Sequence, residues 1–178
     1  MKRTFDLRLR AIGLTIFLIA ILGFIVKWLP LASDATDIAA VPTHSTQEHL
    51  RQYFQQAVTA LKAKRYAEAE RALNRVLKQE PRLPEAYVNM GFTLLGRDRP
   101  KTAASFFATA INLRADQTNA YYGLAMALEQ SGDLLGALGA MRSYVHLTQS
   151  NDPYLSKARA AIWEWETQLS HIHAQTQG

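Results

Sequence analysis

The segment AYVNMGFTLL spans residues 86–95, and a similar segment, AYYGLAMALE, spans residues 120–129. After the shared Ala-Tyr pair, both segments place a small residue between two large apolar ones. A fixed interval between similar segments is typical of proteins built from stacked structural units. The interval from residue 86 to residue 120 therefore predicts that this chain contains a 34-residue repeat.

The same interval relates three segments of the chain at five positions. The aligned sets are Tyr53, Tyr87 and Tyr121; Ala57, Gly91 and Ala125; Ala69, Ala103 and Ala137; Leu73, Phe107 and Met141; and Leu77, Ile111 and Val145. Small residues at a crossing point let two helices approach closely, and the large apolar residues beside them supply buried area. Each unit is therefore predicted to be a hairpin of two helices, with the small residues at the crossing.

This pattern resembles the tetratricopeptide repeat (TPR) family, which has a 34-residue period and an aromatic, small and alanine signature. In the second unit the signature is carried by Tyr87, Met90, Gly91 and Leu94, and then by Ala103, Phe107 and Ala110. The resemblance implies an all-α fold, a helical-hairpin solenoid that occupies residues 49–170. Its three repeats would be residues 50–83, 84–117 and 118–151.

Two features of the predicted solenoid differ from the family pattern. Val76 and Tyr144 are bulky where the second repeat has Ala110, which predicts looser packing in repeats one and three. Gly136 and Gly139 lie within a predicted helix that they weaken, and close approach of a neighbouring helix would explain them. After the repeats, residues 153–170 are predicted to form a capping helix, and residues 171–178 a flexible tail.

The N-terminal region has the pattern of a membrane anchor. Residues 11–26 contain no charged residue, and a helix over 11–29 would be about 28 Å long, close to the thickness of a bilayer core. Basic residues are concentrated in residues 1–10, whereas residues 29–48 contain no Lys or Arg. The positive-inside rule then predicts a cytoplasmic tail at 1–10, a single transmembrane helix at 11–29 and a linker at 30–48. A cleaved signal peptide is the alternative.

This topology places the TPR domain on the periplasmic, extracytoplasmic side of the inner membrane. The net charge of +5 does not form one basic face, because Lys and Arg alternate with Glu along the predicted helices, so a nucleic-acid partner is disfavoured. The chain has no cysteine and no phosphate-binding loop, nucleophile elbow or zinc-protease motif. We therefore expect no enzymatic activity, no catalytic residue, no cofactor, no metal site and no small-molecule substrate.

The TPR resemblance also implies a site. In that family the first helices of the hairpins line a concave groove that receives a peptide or a partner's helix. The implied partner-binding groove here is largely apolar and is lined by Phe54, Val58, Leu61, Val88, Phe92, Leu95, Tyr122, Met126, Glu129 and, on the capping helix, Trp163. The alternative for Val88, Phe92 and Leu95 is that they form core between repeats.

Some TPR proteins hold a terminal carboxylate with cations on these helices, but Phe54 and Val58 occupy those places here. The expected ligand is therefore an amphipathic or apolar segment of a protein, oriented at one end by Arg51 and Lys62 and at the other by Glu129 and Glu164. We expect a membrane-tethered adaptor with a membrane-associated protein partner. The resemblance to bacterial membrane-anchored TPR proteins implies a role in assembly of an envelope or cytochrome c maturation complex. The alternative is a structural subunit that associates with itself.

Overall fold

A computed structural model describes residues 44–176, where the chain forms seven helices and no strand. They are α1 (His44–Lys62), α2 (Tyr66–Gln79), α3 (Pro84–Leu95), α4 (Pro100–Leu113), α5 (Thr118–Gln130), α6 (Leu134–Leu147) and α7 (Leu155–Thr176). The prediction of an all-α fold is confirmed for this part of the chain. α1 begins at His44, so the last residues of the predicted linker are helical.

None of the helices in residues 44–176 combines the length and apolarity that crossing a bilayer requires. The predicted cytoplasmic tail at 1–10, the predicted transmembrane helix at 11–29 and the linker residues up to 43 lie outside the described residues.

The helices pair in sequence as three hairpins, α1 with α2, α3 with α4, and α5 with α6. Pro84 and Pro100 each stand at the start of a helix, where the missing amide hydrogen has no intrahelical partner to lose. This arrangement confirms the helical hairpins that the repeat interval predicts.

The turn inside each hairpin has the same backbone structure in all three repeats. Lys64, Asp98 and Gly132 have φ values of 56°, 56° and 84°, in the left-handed region. The next residue donates its N–H to a carbonyl in the last turn of the first helix, from Arg65 to Ala60 at 2.8 Å, from Arg99 to Leu94 at 2.9 Å and from Asp133 to Leu128 at 2.9 Å. These bonds form a Schellman motif, which ends each first helix and reverses the chain.

The crossing of helices is closest in the middle of the row. The fully buried ring of Phe107 lies beside the backbone of Gly91 in its own hairpin and of Gly123 in the next hairpin. A Cβ atom on Gly91 would fall 2.6 Å from that ring. The absence of a side chain at both glycines is therefore what allows one aromatic ring of α4 to pack between α3 and α5.

The row of hairpins bends towards its first helices. α1 contacts α3, and α3 contacts α5, whereas the second helices α2, α4 and α6 are not packed along one another in the same way. Elements that touch on one side of a row and separate on the other give the row a concave and a convex side. The concave side is formed by α1, α3 and α5.

The last helix, α7, covers the end of the third hairpin. Its buried residues Ala158 and Trp165 pack in one cluster with α6, and Arg142 of α6 forms an ion pair with Glu166 at 2.7 Å. Arg159 is exposed on α7, one repeat interval after Ala125, at the place of the small crossing residue in the repeats. The small residue of α7 that is fully buried is its neighbour Ala158, so α7 does not repeat the packing register of the first helices.

Three expectations about local packing differ from the structure. Val76 and Tyr144 are 0% and 1% exposed, so their extra volume is accommodated in the core rather than leaving it loose. No neighbouring helix approaches Gly139, around which a Cβ would meet nothing within 4 Å, and Gly136 is contacted by its own helix cap Asp133. α7 continues to Thr176 rather than ending at residue 170, with side-chain hydroxyls such as that of Thr176 bonding to carbonyls one turn back.

Candidate partner-binding groove

The concave side carries most of the residues that the sequence implies for the groove. We call the side chains that α1, α3 and α5 direct to that side the inner face. Eight of the ten implied residues are partly buried, which leaves part of each side chain in contact with solvent: Phe54, Val58, Leu61, Phe92, Leu95, Tyr122, Met126 and Glu129. With the exception of Glu129 they are apolar or aromatic, so the inner face is an apolar strip along the three repeats.

The other two residues differ from this pattern. Val88 is 5% exposed and belongs to the core of the first two repeats, so it offers almost no surface to a ligand. Trp163 is 71% exposed and belongs to neither hydrophobic cluster of the described residues. α7 packs on α6 and is not packed along α5 as the first helices are on one another. Trp163 therefore lies on the surface of α7, and its part in the groove stays a prediction.

Core packing holds the strip at its centre. The rings of Phe92 and Phe107 meet edge to face with their centroids 5.0 Å apart, an arrangement that aromatic pairs favour. Phe54 and Leu95 also pack against the core of repeats one and two, whereas Val58 and Leu61 pack in neither cluster. The strip thus combines aromatic residues that pack on the core with two partly buried aliphatic residues that belong to neither cluster.

A cluster of tyrosines supports the strip in repeat three. The Tyr122 ring lies 5.2 Å from the ring of Tyr144 and 5.7 Å from that of Tyr154, centroid to centroid. The hydroxyl of Tyr144 donates to Asp152 Oδ1 at 2.6 Å, and the backbone N–H of Tyr154 donates to the same oxygen at 2.8 Å. One carboxylate therefore fixes two of the rings that hold Tyr122.

This network changes the acidity of its members. Burial raises the pKa of Tyr144 to about 12, and the hydrogen bond to the Asp152 carboxylate acts in the same direction. The hydrogen bond from Tyr144 lowers the pKa of Asp152, with the Tyr154 amide as a second cause. Burial also raises the pKa of Tyr122. At neutral pH the network therefore consists of neutral phenols and one carboxylate.

Asp152, Tyr144 and Tyr154 are not among the groove residues that the sequence implies. Tyr144 stands out in the sequence only as a bulky departure from the repeat pattern, and Asp152 only as a residue before a helix. Their joint role depends on contacts across the loop between α6 and α7, which the repeat interval does not describe.

Four charged residues are predicted to orient the ligand. Arg51 and Lys62 are exposed on α1, and neither forms an ion pair within residues 44–176. Glu129 is partly buried on α5, whereas Glu164 is exposed on α7, which also carries the exposed cations Lys157 and Arg159. The polarity of the ligand stays a prediction. No three His, Cys, Asp or Glu side chains in the described part of the chain come together as a metal site would require.

No protein-family model matches the sequence, and no curated protein matches it. Solved structures do match the fold. The chaperone SycD of Yersinia enterocolitica, in complex with a peptide of the translocator YopD, superimposes with a TM-score of 0.64 at 11% identity, over 68% of this chain and 95% of that one. The TPR2B domain of yeast Sti1, in a complex with pHsp70, gives a TM-score of 0.64 at 15% identity over 68% and 98%.

A third structure, the first TPR of Spaghetti (RPAP3) bound to the HSP90 peptide SRMEEVD, gives a TM-score of 0.63 at 17% identity, over 69% of this chain and 94% of that one. Identities this low establish the fold alone. The chain has a tetratricopeptide-repeat fold, as the spacing of its small and aromatic residues predicts.

Proposed function

We propose that this protein is a membrane-tethered adaptor whose inner face binds an apolar or amphipathic segment of another protein. The observation that carries the proposal is the strip of partly exposed apolar side chains along α1, α3 and α5. Side chains such as Val58 and Leu61 lie on the concave side, belong to neither core cluster and keep part of their apolar surface in contact with solvent. An apolar groove of this kind suits a helix that inserts one face.

The solved neighbours support a role in peptide binding. SycD and the first TPR of Spaghetti (RPAP3) each hold a peptide in these structures, and the TPR2B domain of Sti1 is in a complex with pHsp70. The chemistry of the ligand differs here, because Phe54 and Val58 stand where a cation pair for a terminal carboxylate would be needed. The proposed ligand is apolar along its centre, with an acidic end towards Lys62 and a basic end towards Glu129.

The membrane tether is the part of the proposal that rests on the sequence. The uncharged run at residues 11–26 and the basic residues before it favour an uncleaved anchor with the TPR domain across the inner membrane. Confinement next to a bilayer raises the effective concentration of partners that are anchored in the same membrane. Assembly of an envelope or cytochrome c maturation complex is the setting that we propose for such an adaptor.

Site-specific photo-crosslinking tests the proposal. Because the chain has no cysteine, Leu61→Cys and Met126→Cys each place a single benzophenone on the inner face, and Leu135→Cys places one at a residue 71% exposed on α6. In membranes of the cells that make the protein, we expect discrete adducts with another protein from the first two variants and none from the third.

Two results would contradict this function. Adducts of equal yield from Leu135→Cys would show that the inner face is not the site, and adducts at twice the mass of the chain would favour the alternative, a self-associating structural subunit. Adding Val58→Ser to Leu61→Cys should reduce the adduct, whereas adding Leu147→Ser, an exposed residue of α6, should leave it unchanged.

A further inference from the structure

The outer face of repeat one carries a row of cations. Arg71, Arg75 and Lys78 lie on α2 at spacings of four and three positions, which places them on one side of the helix, and all three are exposed. Lys64 before the helix and Arg82 after it are exposed as well. We call these five residues the basic row. The buried residues of α2, such as Leu73 and Val76, lie on the opposite side of the helix.

No carboxylate of the described residues neutralises the basic row. The six ion pairs within residues 44–176 involve other cations, and the acidic residues of α2 are engaged elsewhere: Glu68 pairs with Arg65, and Glu70 with Arg97 and Arg99. Arg75 lies over the ring of Tyr53 at 5.1 Å, a contact that attracts the cation without neutralising its charge. Five cations in a row without carboxylate partners repel one another, so they reduce rather than increase the stability of the fold.

The other repeats show that solubility does not require this charge. The residues of repeats two and three at the same register as the basic row contain no Lys or Arg. In repeat two they are Asp98, Ser105, Thr109, Asn112 and Asp116. In repeat three they are Gly132, Gly139, Ser143, His146 and Ser150. The hydroxyls of Thr109 and Ser143 donate to carbonyls of their own helices at 2.9 and 3.0 Å. None of these ten residues is a Lys or Arg, so the basic row is a property of repeat one alone.

Repeat one is also the repeat next to the N-terminal segment. Arg75 reaches Tyr53, so the C-terminal half of α2 lies beside the first half of α1, where the chain arrives from residues 1–43. A linker from residue 30 to residue 43 spans at most about 50 Å. If residues 11–29 are in the bilayer, repeat one is thus held within reach of the lipid surface.

We propose that the basic row lies on anionic lipid headgroups of the membrane that holds the N-terminal segment. The proposal rests on the tether in the proposed function and adds an orientation to it. α2 faces the bilayer, and because α2 is on the convex side, the inner face of α1, α3 and α5 points away from the lipid and stays open to a partner. Each Lys or Arg near an anionic surface strengthens the association by about fivefold.

The test uses the full chain in vesicles of phosphatidylcholine, with and without phosphatidylglycerol. A fluorophore on Asn74→Cys, beside the row on α2, reports its distance from a lipid whose headgroup carries a quencher. The matched position on α4, one repeat interval on, is Ala108→Cys. We expect quenching at residue 74 only, only in anionic vesicles, and its loss at high salt because the Debye length then falls to about 3 Å.

The control variants exchange residues between repeats. Arg71→Ser, Arg75→Thr and Lys78→Asn together introduce the residues that α4 already carries, so the fold tolerates them, and we expect roughly a hundredfold weaker surface contact. Adding Ser105→Arg, Thr109→Arg and Asn112→Lys to that variant should move the quenching to residue 108. Quenching at residue 74 that survives the exchange, or that is equal in neutral vesicles, would overturn the proposal.

Flotation separates this inference from the tether. Flotation of the full chain with neutral vesicles supports the tether whether or not residue 74 is quenched. If the chain floats with anionic vesicles alone and the exchange abolishes flotation, the basic row is confirmed and the tether is contradicted. A chain that floats with neither kind of vesicle contradicts both the tether and the binding of the basic row to lipid. If the basic row instead crosslinks to an acidic protein, that protein is its partner and the lipid proposal is overturned.

Discussion

The ring of Phe107 fills the space that a side chain on Gly123 would occupy. Phe107 is on α4 and Gly123 on α5, so this packing joins the second repeat to the third. Gly91 on α3 accommodates the same ring from within the hairpin. One aromatic residue and two glycines thus fix how α3 crosses α4 within the second repeat and how α5 of the third repeat packs on α4. The positions of α3 and α5 on the inner face follow from this packing.

Alanine at Gly123 should therefore be costly. Its methyl group would overlap the Phe107 ring, which is fully buried and also lies against Gly91, so we expect a loss of about 2 kcal/mol in the free energy of unfolding. Gly139→Ala is the matched control, because a Cβ there meets nothing within 4 Å, and alanine should gain about 0.5–1 kcal/mol through helix propensity. Urea unfolding of the fragment 44–178 measures the change in unfolding free energy for both variants. If both variants were stabilised, or both destabilised, the packing described would be contradicted.

The left-handed residue of each hairpin turn gives a second pair of predictions. Gly132 has a φ of 84° and open space around it, so Gly132→Ala should cost about 1–2 kcal/mol through the backbone alone. Lys64 has a φ of 56°, and Lys64→Gly should relieve a similar strain, for a net gain of about 0.5 kcal/mol after the entropy of glycine. In thermal unfolding, the melting temperatures of the two variants should shift in opposite directions from that of the wild type. A Lys64→Gly variant with a lower melting temperature than the wild type would be evidence against strain at Lys64.

The hydrogen bond between Tyr144 and Asp152 should make stability depend on pH at both extremes. The pKa of Tyr144 is raised to about 12, so its contribution is complete below pH 10 and is lost as pH rises towards 12. The pKa of Asp152 is lowered from its usual value of 3.8, so its contribution is complete above that pH and is lost as pH falls through the lowered value.

Tyr144→Phe removes this bond and should cost about 1–2 kcal/mol near pH 7, because the acceptor is a carboxylate. The difference in unfolding free energy between wild type and Tyr144→Phe is then expected to shrink as pH falls through the lowered pKa of Asp152 and as pH rises towards 12. A difference that stays constant across the whole range would show that the bond contributes little. Spectroscopic titration of the phenols gives an independent check, since Tyr144 should ionise late.

The chemistry of the inner face predicts which peptides are refused. SRMEEVD, the HSP90 peptide held by the first TPR of Spaghetti (RPAP3), should not bind this chain measurably, because Phe54 and Val58 provide no charge for its carboxylates. Fluorescence anisotropy of the labelled peptide with the fragment 44–178 is the measurement. The double variant Phe54→Lys with Val58→Asn should gain weak binding, and saturable binding of SRMEEVD by the wild type would refute the apolar description of the groove.

How much of this structure the sequence predicts depends on whether a feature recurs. Gly91 and Phe107 are in register with Ala57 and Leu73 of the first repeat, and the hairpin crossings follow from that register. Features that occur only once in the chain are not predicted correctly from the sequence. Gly139 is not approached by any helix, and α7 runs past its predicted end, because neither is constrained by a corresponding residue in another repeat.

The candidate groove shows the same limit. The interval places side chains on the inner face, but it does not say how deeply each is buried, and Val88 is taken into the core while Val58 is not. On α7 the helical period does separate the two tryptophans, because Trp165 is 5% exposed and Trp163 is 71% exposed. The selection of ligand-binding residues within the strip stays a prediction.

The packing of Phe107 has a consequence for the order of the repeats. Its ring needs the absence of a side chain at Gly123, and the matching residues in repeats one and two are Gln55 and Asn89. Only the third repeat can therefore follow one that carries this aromatic ring, so the units are not interchangeable.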